Sequence, residues 1–366
     1  MRSANRARTL RRYVRWIWIY FLHFSGLLRW AQNKTVKSGG VIVLTLHRVL
    51  PRREFETTLS PRGMVVSVET FKGLLQFLKN HCEVLDLVGD CPHWKGHHVR
   101  PRVAVTFDDG WKDTAEIAAP LLQRDGIPFA VFICPGLVGK QLPFWPERVA
   151  LVWKAAEHDT QLSDQFASIC RKSFTTMEFS PFSRTRCSFE QLLQSMKELP
   201  SAARDELVQE LLALAPAGSD EPSLDATMGW EETRTVAQSG GQIGSHTIHH
   251  EILTSLPRKD ALREISHSKF MIEDALGAGC NTFAYPNGDW APEIQQIVAE
   301  QGYSQAFINR PGIWTSGTNR WLIPRVNIWE GSVTNSKRRF SSVVLKYSVF
   351  WLPYWVERMR RNSNLT

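Results

Sequence analysis

Short, mostly apolar runs recur along this chain: VIVLTL (41–46), RVAVTF (102–107), PFAVFI (128–133), GQIGS (241–245), NTFAY (281–285) and SQAFI (304–308). A strand with one face in water alternates polar and apolar residues; VIVLTL does not, so both of its faces must be buried. Helix-like segments separate the runs, at 69–79, 113–124, 229–239, 258–276 and 291–301. Buried strands alternating with helices predict an α/β architecture, a parallel sheet or barrel with helices outside. His47, Asp108, Asp109, His246 and Tyr285 all fall at or just past the C-terminal end of such a run. In parallel α/β folds that edge carries the chemistry. The stretch 146–228 breaks the rhythm, with helical periodicity (Leu192, Leu193, Met196, Leu199) and no strong strand signal, so it reads as a helical insertion.

The 366 residues carry a formal net charge of +8, unevenly distributed. Residues 1–37 hold nine Lys/Arg and no acid, residues 337–366 hold seven Lys/Arg and one acid, and the body 38–336 is left at −7. An acidic body argues against a nucleic-acid partner. The basic ends are also aromatic: Tyr13, Trp16, Trp18, Tyr20, Phe21, Phe24 and Trp30 lie in the first, and Phe340, Tyr347, Phe350, Trp351, Tyr354 and Trp355 in the second. Rings mixed with Arg and Lys suit the headgroup layer of an anionic membrane surface. Between Arg15 and Arg29 lie 13 uncharged residues, which as a helix would span about 20 Å against roughly 30 Å of hydrocarbon. Both ends are expected to lie in the interface rather than cross it. The N-terminal pattern, an Arg-rich start before a short apolar core, equally describes an export signal or an uncleaved anchor. The expected location is membrane-associated, at the cytoplasmic face of the inner membrane, with an anchored, periplasm-facing form as the alternative. Cysteines at 82, 91, 134, 170, 187 and 280 form no C-x-x-C pair, so neither a zinc ribbon nor a thioredoxin-type site is suggested.

Two motifs carry chemistry. TFDDG (106–110) delivers adjacent carboxylates from a buried strand into a Gly turn. Like charges this close repel, so one carboxylate gains from a cation while the other stays free as a base. Asp-Asp-Gly is also ordinary turn chemistry. SHTIHH (245–250) sets His246 and His250 four residues apart, which on a helical turn would put both imidazoles on one face and point His249 elsewhere. Its plain alternative is a polar loop of hydrogen-bonded histidines. Asp109, His246 and His250 together make a two-His, one-carboxylate set with open positions.

These residues resemble the polysaccharide deacetylases, the family with the NodB-homology domain, carbohydrate esterase family four. TFDDG is similar to its first motif, His246-Thr247-x-x-His250 to its second, and FAYPNG (283–288) to its third, without the Arg that often precedes it. LTLHRVLP (44–51) is similar to the opening strand of the subgroup with poly-N-acetylglucosamine deacetylases. The resemblance implies a distorted (β/α) barrel of the NodB-homology type with a helical insertion. The domains expected are a membrane-associating segment 1–37, a catalytic domain 38–336 containing the insertion 146–228, and a basic amphipathic helix 337–366. It further implies that Asp109, His246 and His250 hold a divalent metal, most often Zn2+, with Co2+, Mn2+ or Ni2+ as substitutes. Asp108 would be the general base, His47 the general acid, and the Tyr285 backbone N–H an oxyanion donor. Arg325, in LIPRVNI (322–328), is the candidate for the missing Arg that orients the base. The implied activity is N-deacetylation of an amino sugar in a glycan or a lipid-linked saccharide. Alternatives are a deformylase of a lipid-linked formamido sugar, an exported exopolysaccharide or peptidoglycan deacetylase, and an inactive glycan-binding relative.

Overall fold

The computed structural model describes residues 14–87, 97–174, 188–215 and 224–363. Cys91 and Cys187, and the parts of the terminal segments and of 146–228 beyond those ranges, lie outside the described residues.

Parallel strands form the centre: β1 (Val41–Leu46), β4 (Glu83–Val84), β5 (Arg102–Phe107), β6 (Phe129–Ile133), β7 (Gly241–Ser245), β8 (Thr282–Ala284), β9 (Gln305–Ile308) and β10 (Ile323–Asn327). Two short strands, β2 (Arg48–Leu50) and β3 (Val65–Ser67), pair separately. The order β1-β10-β9-β8-β7-β6-β5 closes because β5 also pairs with β1, which makes a seven-stranded parallel barrel. β5 divides its second edge. Arg102 and Val103 face β4, whereas Thr106 and Phe107 face β6. That change of partner is the distortion of the barrel.

Alternation along each strand sorts side chains to two cores. Val41, Val43, Ala104, Ala130, Phe132, Ala284, Phe307, Trp314 and Ile323 fill the inside of the barrel. Ile42, Leu44, Leu46, Val103, Val105, Phe107 and Phe283 face outward into the helices, among them Val68–His81 and Arg258–Leu276. Both rows are apolar, which is why VIVLTL lacks polar alternation.

The helices Trp145–Ala156, Thr160–Ser173, Phe189–Lys197 and Ser201–Leu212 come between β6 and β7 and share a core of their own, including Val152, Phe166, Leu192, Met196 and Leu211. They reach over the C-terminal end of the strands: Lys197 Nζ donates to Asn287 Oδ1 at 2.7 Å, and Arg204 pairs with Glu251 at 2.9 Å. At the N-terminal side, a helix over 14–24 turns at Gly26 (φ 78°) into the helix Leu27–Lys37. Leu22, Leu28 and Ala31 pack there on Trp351. Among the described residues, no helix is long and apolar enough to cross a membrane. Cys82, Cys134, Cys170 and Cys280 are buried thiols outside any disulfide.

Candidate active site

Inward parity places the first group. Along β1 the inward series Val41, Val43, Thr45 continues to His47; along β5, Ala104 and Thr106 continue to Asp108; along β10, Ile323 is followed by Arg325. Arg325 is fully buried and meets Asp108 in a fork, Nη1 to Oδ1 and Nη2 to Oδ2, each at 2.7 Å. Its guanidinium lies 5.4 Å from the Phe132 ring centroid and 5.9 Å from that of Phe307. Burial alone would push the Asp108 carboxyl upward, but the Arg325 charge and its bonds prevail and hold it down to about 2. Asp108 is thus an ionised, fixed carboxylate.

The chain then needs a sharp reversal. Asp109 (φ 75°) and Gly110 (φ 71°) are both left-handed; Asp tolerates that region better than most residues. Thr247, His250 and Asn287 also have positive φ, so strained backbone gathers at this end of the barrel. Asp109 Oδ2 accepts the Trp111 indole N–H at 3.0 Å, while Oδ1 is buried without a hydrogen-bond partner. His246 Nε2 lies 3.6 Å and His250 Nε2 3.4 Å from that oxygen. Ligand atoms of the three residues fall within 4.8 Å of one another.

The donor chemistry fits a divalent cation. His246 Nδ1 is 2.7 Å from the Ala284 carbonyl, which can only accept, so Nε2 keeps its lone pair toward Asp109. Burial lowers both imidazoles to about 4, against the opposing pull of Asp108. Two neutral nitrogens and an orphaned carboxylate oxygen therefore converge. Because the Trp111 bond orients the carboxylate, Trp111→Phe is expected to weaken Zn2+ binding by about 10- to 100-fold. Competition titration of the metal-free protein with a chromogenic chelator measures this.

The route by which the histidines meet differs from the expectation. Residues 246–250 are a loop, not a helical turn; left-handed Thr247 (φ 66°) and His250 (φ 62°) bring the rings to 4.9 Å. Glu264, on the helix Arg258–Leu276, clamps the loop: its Oε2 accepts the N–H groups of Ile248 (2.8 Å) and His249 (3.0 Å). The His249 ring pairs with Glu264 Oε1 at 2.8 Å, away from the other two.

The Tyr285 assignment needs correction. Its N–H donates to Phe307 O at 3.0 Å in the ladder to β9, and its ring packs outward on Phe283. Alternation along β8 turns Ala284, not Tyr285, toward the site. His47 does reach the site's surroundings: it is 8% exposed, its Nδ1 is buried without a hydrogen-bond partner, and it lies within electrostatic reach of Asp108 and His250.

Residues missed in the sequence support this group from behind. The Arg48 guanidinium stacks 4.1 Å over Trp111 and is held by Asp113 at 2.9 Å, by Asp225 and by Ser60 at 2.9 Å. Asp113 also takes the Val49 N–H at 2.6 Å. A Trp directly after Asp-Asp-Gly was the available signal; Arg48 offered none because its partners Asp113 and Asp225 are distant in sequence, and Glu264 offered none because nothing distinguishes it from any other Glu on a helix. A cavity of about 740 Å³ opens at the other end of the strands, among Arg234, Gln242, Thr282 and Ser304, and no residue of the site lines it.

The polysaccharide deacetylase family model matches residues 95–306, more than half of the chain. The chain belongs to the polysaccharide deacetylase family. Chitin deacetylase 1 of Cryptococcus neoformans var. grubii is 36% identical over 89 residues, 24% of this chain. The chain spans only 18% of the length of that curated relative. Among solved structures, the Streptococcus pyogenes deacetylase PplD in complex with acetate superposes with a TM-score of 0.50 at 16% identity, covering 80% of this chain and 94% of its own. A polysaccharide deacetylase from Bacillus cereus gives 0.50 at 17% identity, covering 83% and 69%. At such identities these structures establish the barrel alone.

Proposed function

We propose that this family member is a metal-dependent amidohydrolase that removes the N-acetyl group from an amino sugar. The observation that carries the reading is the juxtaposition of Asp109, His246 and His250 with an ionised Asp108 fixed by Arg325. A bound divalent cation, Zn2+ foremost, supplies Lewis acidity to the amide carbonyl and acidifies water. Asp108 takes the proton of the attacking water; each of its oxygens keeps a lone pair beyond the one given to Arg325. Water oxygen bonds to the carbonyl carbon, the C–N bond breaks, and His47 gives the departing nitrogen its proton so that it leaves as a neutral amine. Acetate and a free amino sugar result. Tyr285 N–H being committed, and Pro286 having none, the next backbone donor on that loop is Asn287 N–H, presented by its left-handed conformation (φ 57°), and we assign it the oxyanion.

For the substrate, the basic aromatic ends favour a lipid-linked amino sugar over a finished polymer, with a formamido sugar as a variant of the same chemistry. Membrane association at the cytoplasmic face is the matching location, and a compartment reporter fused in frame at the C-terminus reads it. Metal analysis, combined with mass-spectrometric assay of soluble and lipid-linked N-acetyl and N-formyl sugars, tests the reading. Chelation is expected to abolish acetate release, and Zn2+ or Co2+ to restore it. A chelated enzyme at full activity would sink the mechanism.

A further inference from the structure

The helix over 14–24 presents its apolar side outward. Val14, Ile17, Trp18, Phe21 and Phe24 are 55%, 70%, 45%, 55% and 83% exposed, and their spacing puts them in one stripe. Trp18 and Phe21 stack with centroids 5.6 Å apart. On the opposite side Ile19 and Leu22 are fully buried, so the helix is seated on the protein by one edge and bare on the other. A helix facing water would show the reverse. Contiguous exposed apolar surface of this kind marks an interaction site.

We infer that this stripe docks on an anionic lipid bilayer, with the helix lying in the plane of the headgroups. Charge selects that occupant. Residues 1–37 carry nine Lys/Arg and no acid. A symmetric dimer through the stripe would bring two such segments together and repel, whereas an anionic surface neutralises both charge and apolar area. Lys34 lies 5.8 Å from the Trp30 ring, and Arg358 lies 5.2 Å from the Trp355 ring. Leu352 and Met359, on the helix Leu352–Ser363, are exposed as well. The described helix, residues 14–24, would be about 16 Å long, which suits immersion in the interface and not a crossing.

The docked helix is also tied to the catalytic end. The Arg15 Nη2 donates to Gly331 O at 3.4 Å, and Gly331 lies just past β10, the strand that bears Arg325.

The test uses the full chain and co-sedimentation with vesicles of phosphatidylcholine plus phosphatidylglycerol, or of phosphatidylcholine alone. The chain is expected to pellet with the mixed vesicles and to bind about 10-fold more weakly without phosphatidylglycerol. Trp18→Ala/Phe21→Ala/Phe24→Ala is expected to weaken binding by about 100-fold without moving the melting temperature, because all three side chains lie outside the core. Wild-type binding by this variant, or a wild-type chain left in the supernatant, overturns the proposal. A lipid-free dimer, seen by analytical ultracentrifugation and abolished by the same substitutions, overturns it in favour of a second copy. Sedimentation reads no chemistry, so its outcome is independent of the deacetylase reading.

Discussion

Asp108→Asn is expected to lower turnover of an N-acetyl amino sugar by about 1,000-fold, the loss typical of a removed general base. Metal content should stay at the wild-type level, since Asp109, His246 and His250 are untouched. Structure complicates this experiment, because Asp108 is also the counterion of a fully buried Arg325. Removing one partner of such a pair costs about 3–5 kcal/mol, so an inactive Asp108→Asn could be blamed on misfolding. The double variant Asp108→Leu/Arg325→Met separates the two effects. Replacing both charges with apolar groups is expected to regain most of the lost stability, while activity stays absent. Recovery of activity along with stability would remove Asp108 from the chemistry. The same pair gives an acid signature. Asp108 sits at about 2 in the folded protein against about 3.9 in an unfolded chain. Its depressed value adds stability above about pH 4, lost as pH falls through about 2. In an acid titration followed by circular dichroism, the double variant should lack that component.

The second large effect belongs to His47. His47→Gln is expected to cut turnover on an alkyl acetamide by about 100- to 1,000-fold, with the metal retained. A leaving-group comparison shows whether a proton is what the residue supplies. An aryl amine departs without assistance far more readily than an alkyl amine, so the variant should lose much less activity on an acetanilide. Equal losses on both substrates would reduce His47 to a buried structural histidine.

Much of the site could be read from strand ends. Mostly apolar runs mark six of the seven barrel strands, all but β10, and the C-terminal edge rule then collects Asp108, Asp109, His246 and His47 as candidates. What failed was Tyr285, whose N–H is used in the ladder to Phe307 O and whose ring faces away from the site. Phe283, Ala284 and Tyr285 are all apolar or aromatic, and in a barrel buried on both faces nothing in composition tells inward from outward. The small Ala284 faces in and the two rings face out. The His246–His250 spacing suggested a helix because four residues make about one turn; the actual path uses two left-handed residues that spacing cannot reveal. Arg325 was reachable only through a missing Arg elsewhere, since its partner lies 217 positions away. Arg48 and Asp225 meet across 177 positions and stayed silent; Glu264 reaches only 15 and 16 positions back, but a Glu on a helix is ordinary and gave no signal.

Asp225 lies near the end of the chain segment that carries the four helices between β6 and β7, and it holds Arg48, which stacks on Trp111, which bonds Asp109. Seen from an engineer's bench, those helices are not a detachable accessory. Cutting the segment out flush with the barrel would strip Arg48 of a counterion and loosen Asp109, the carboxylate of the proposed metal site. A trimmed enzyme should therefore keep residues 224–228 as a graft, rejoined to Phe144 by a short linker, if the proposed metal site is to keep its shape.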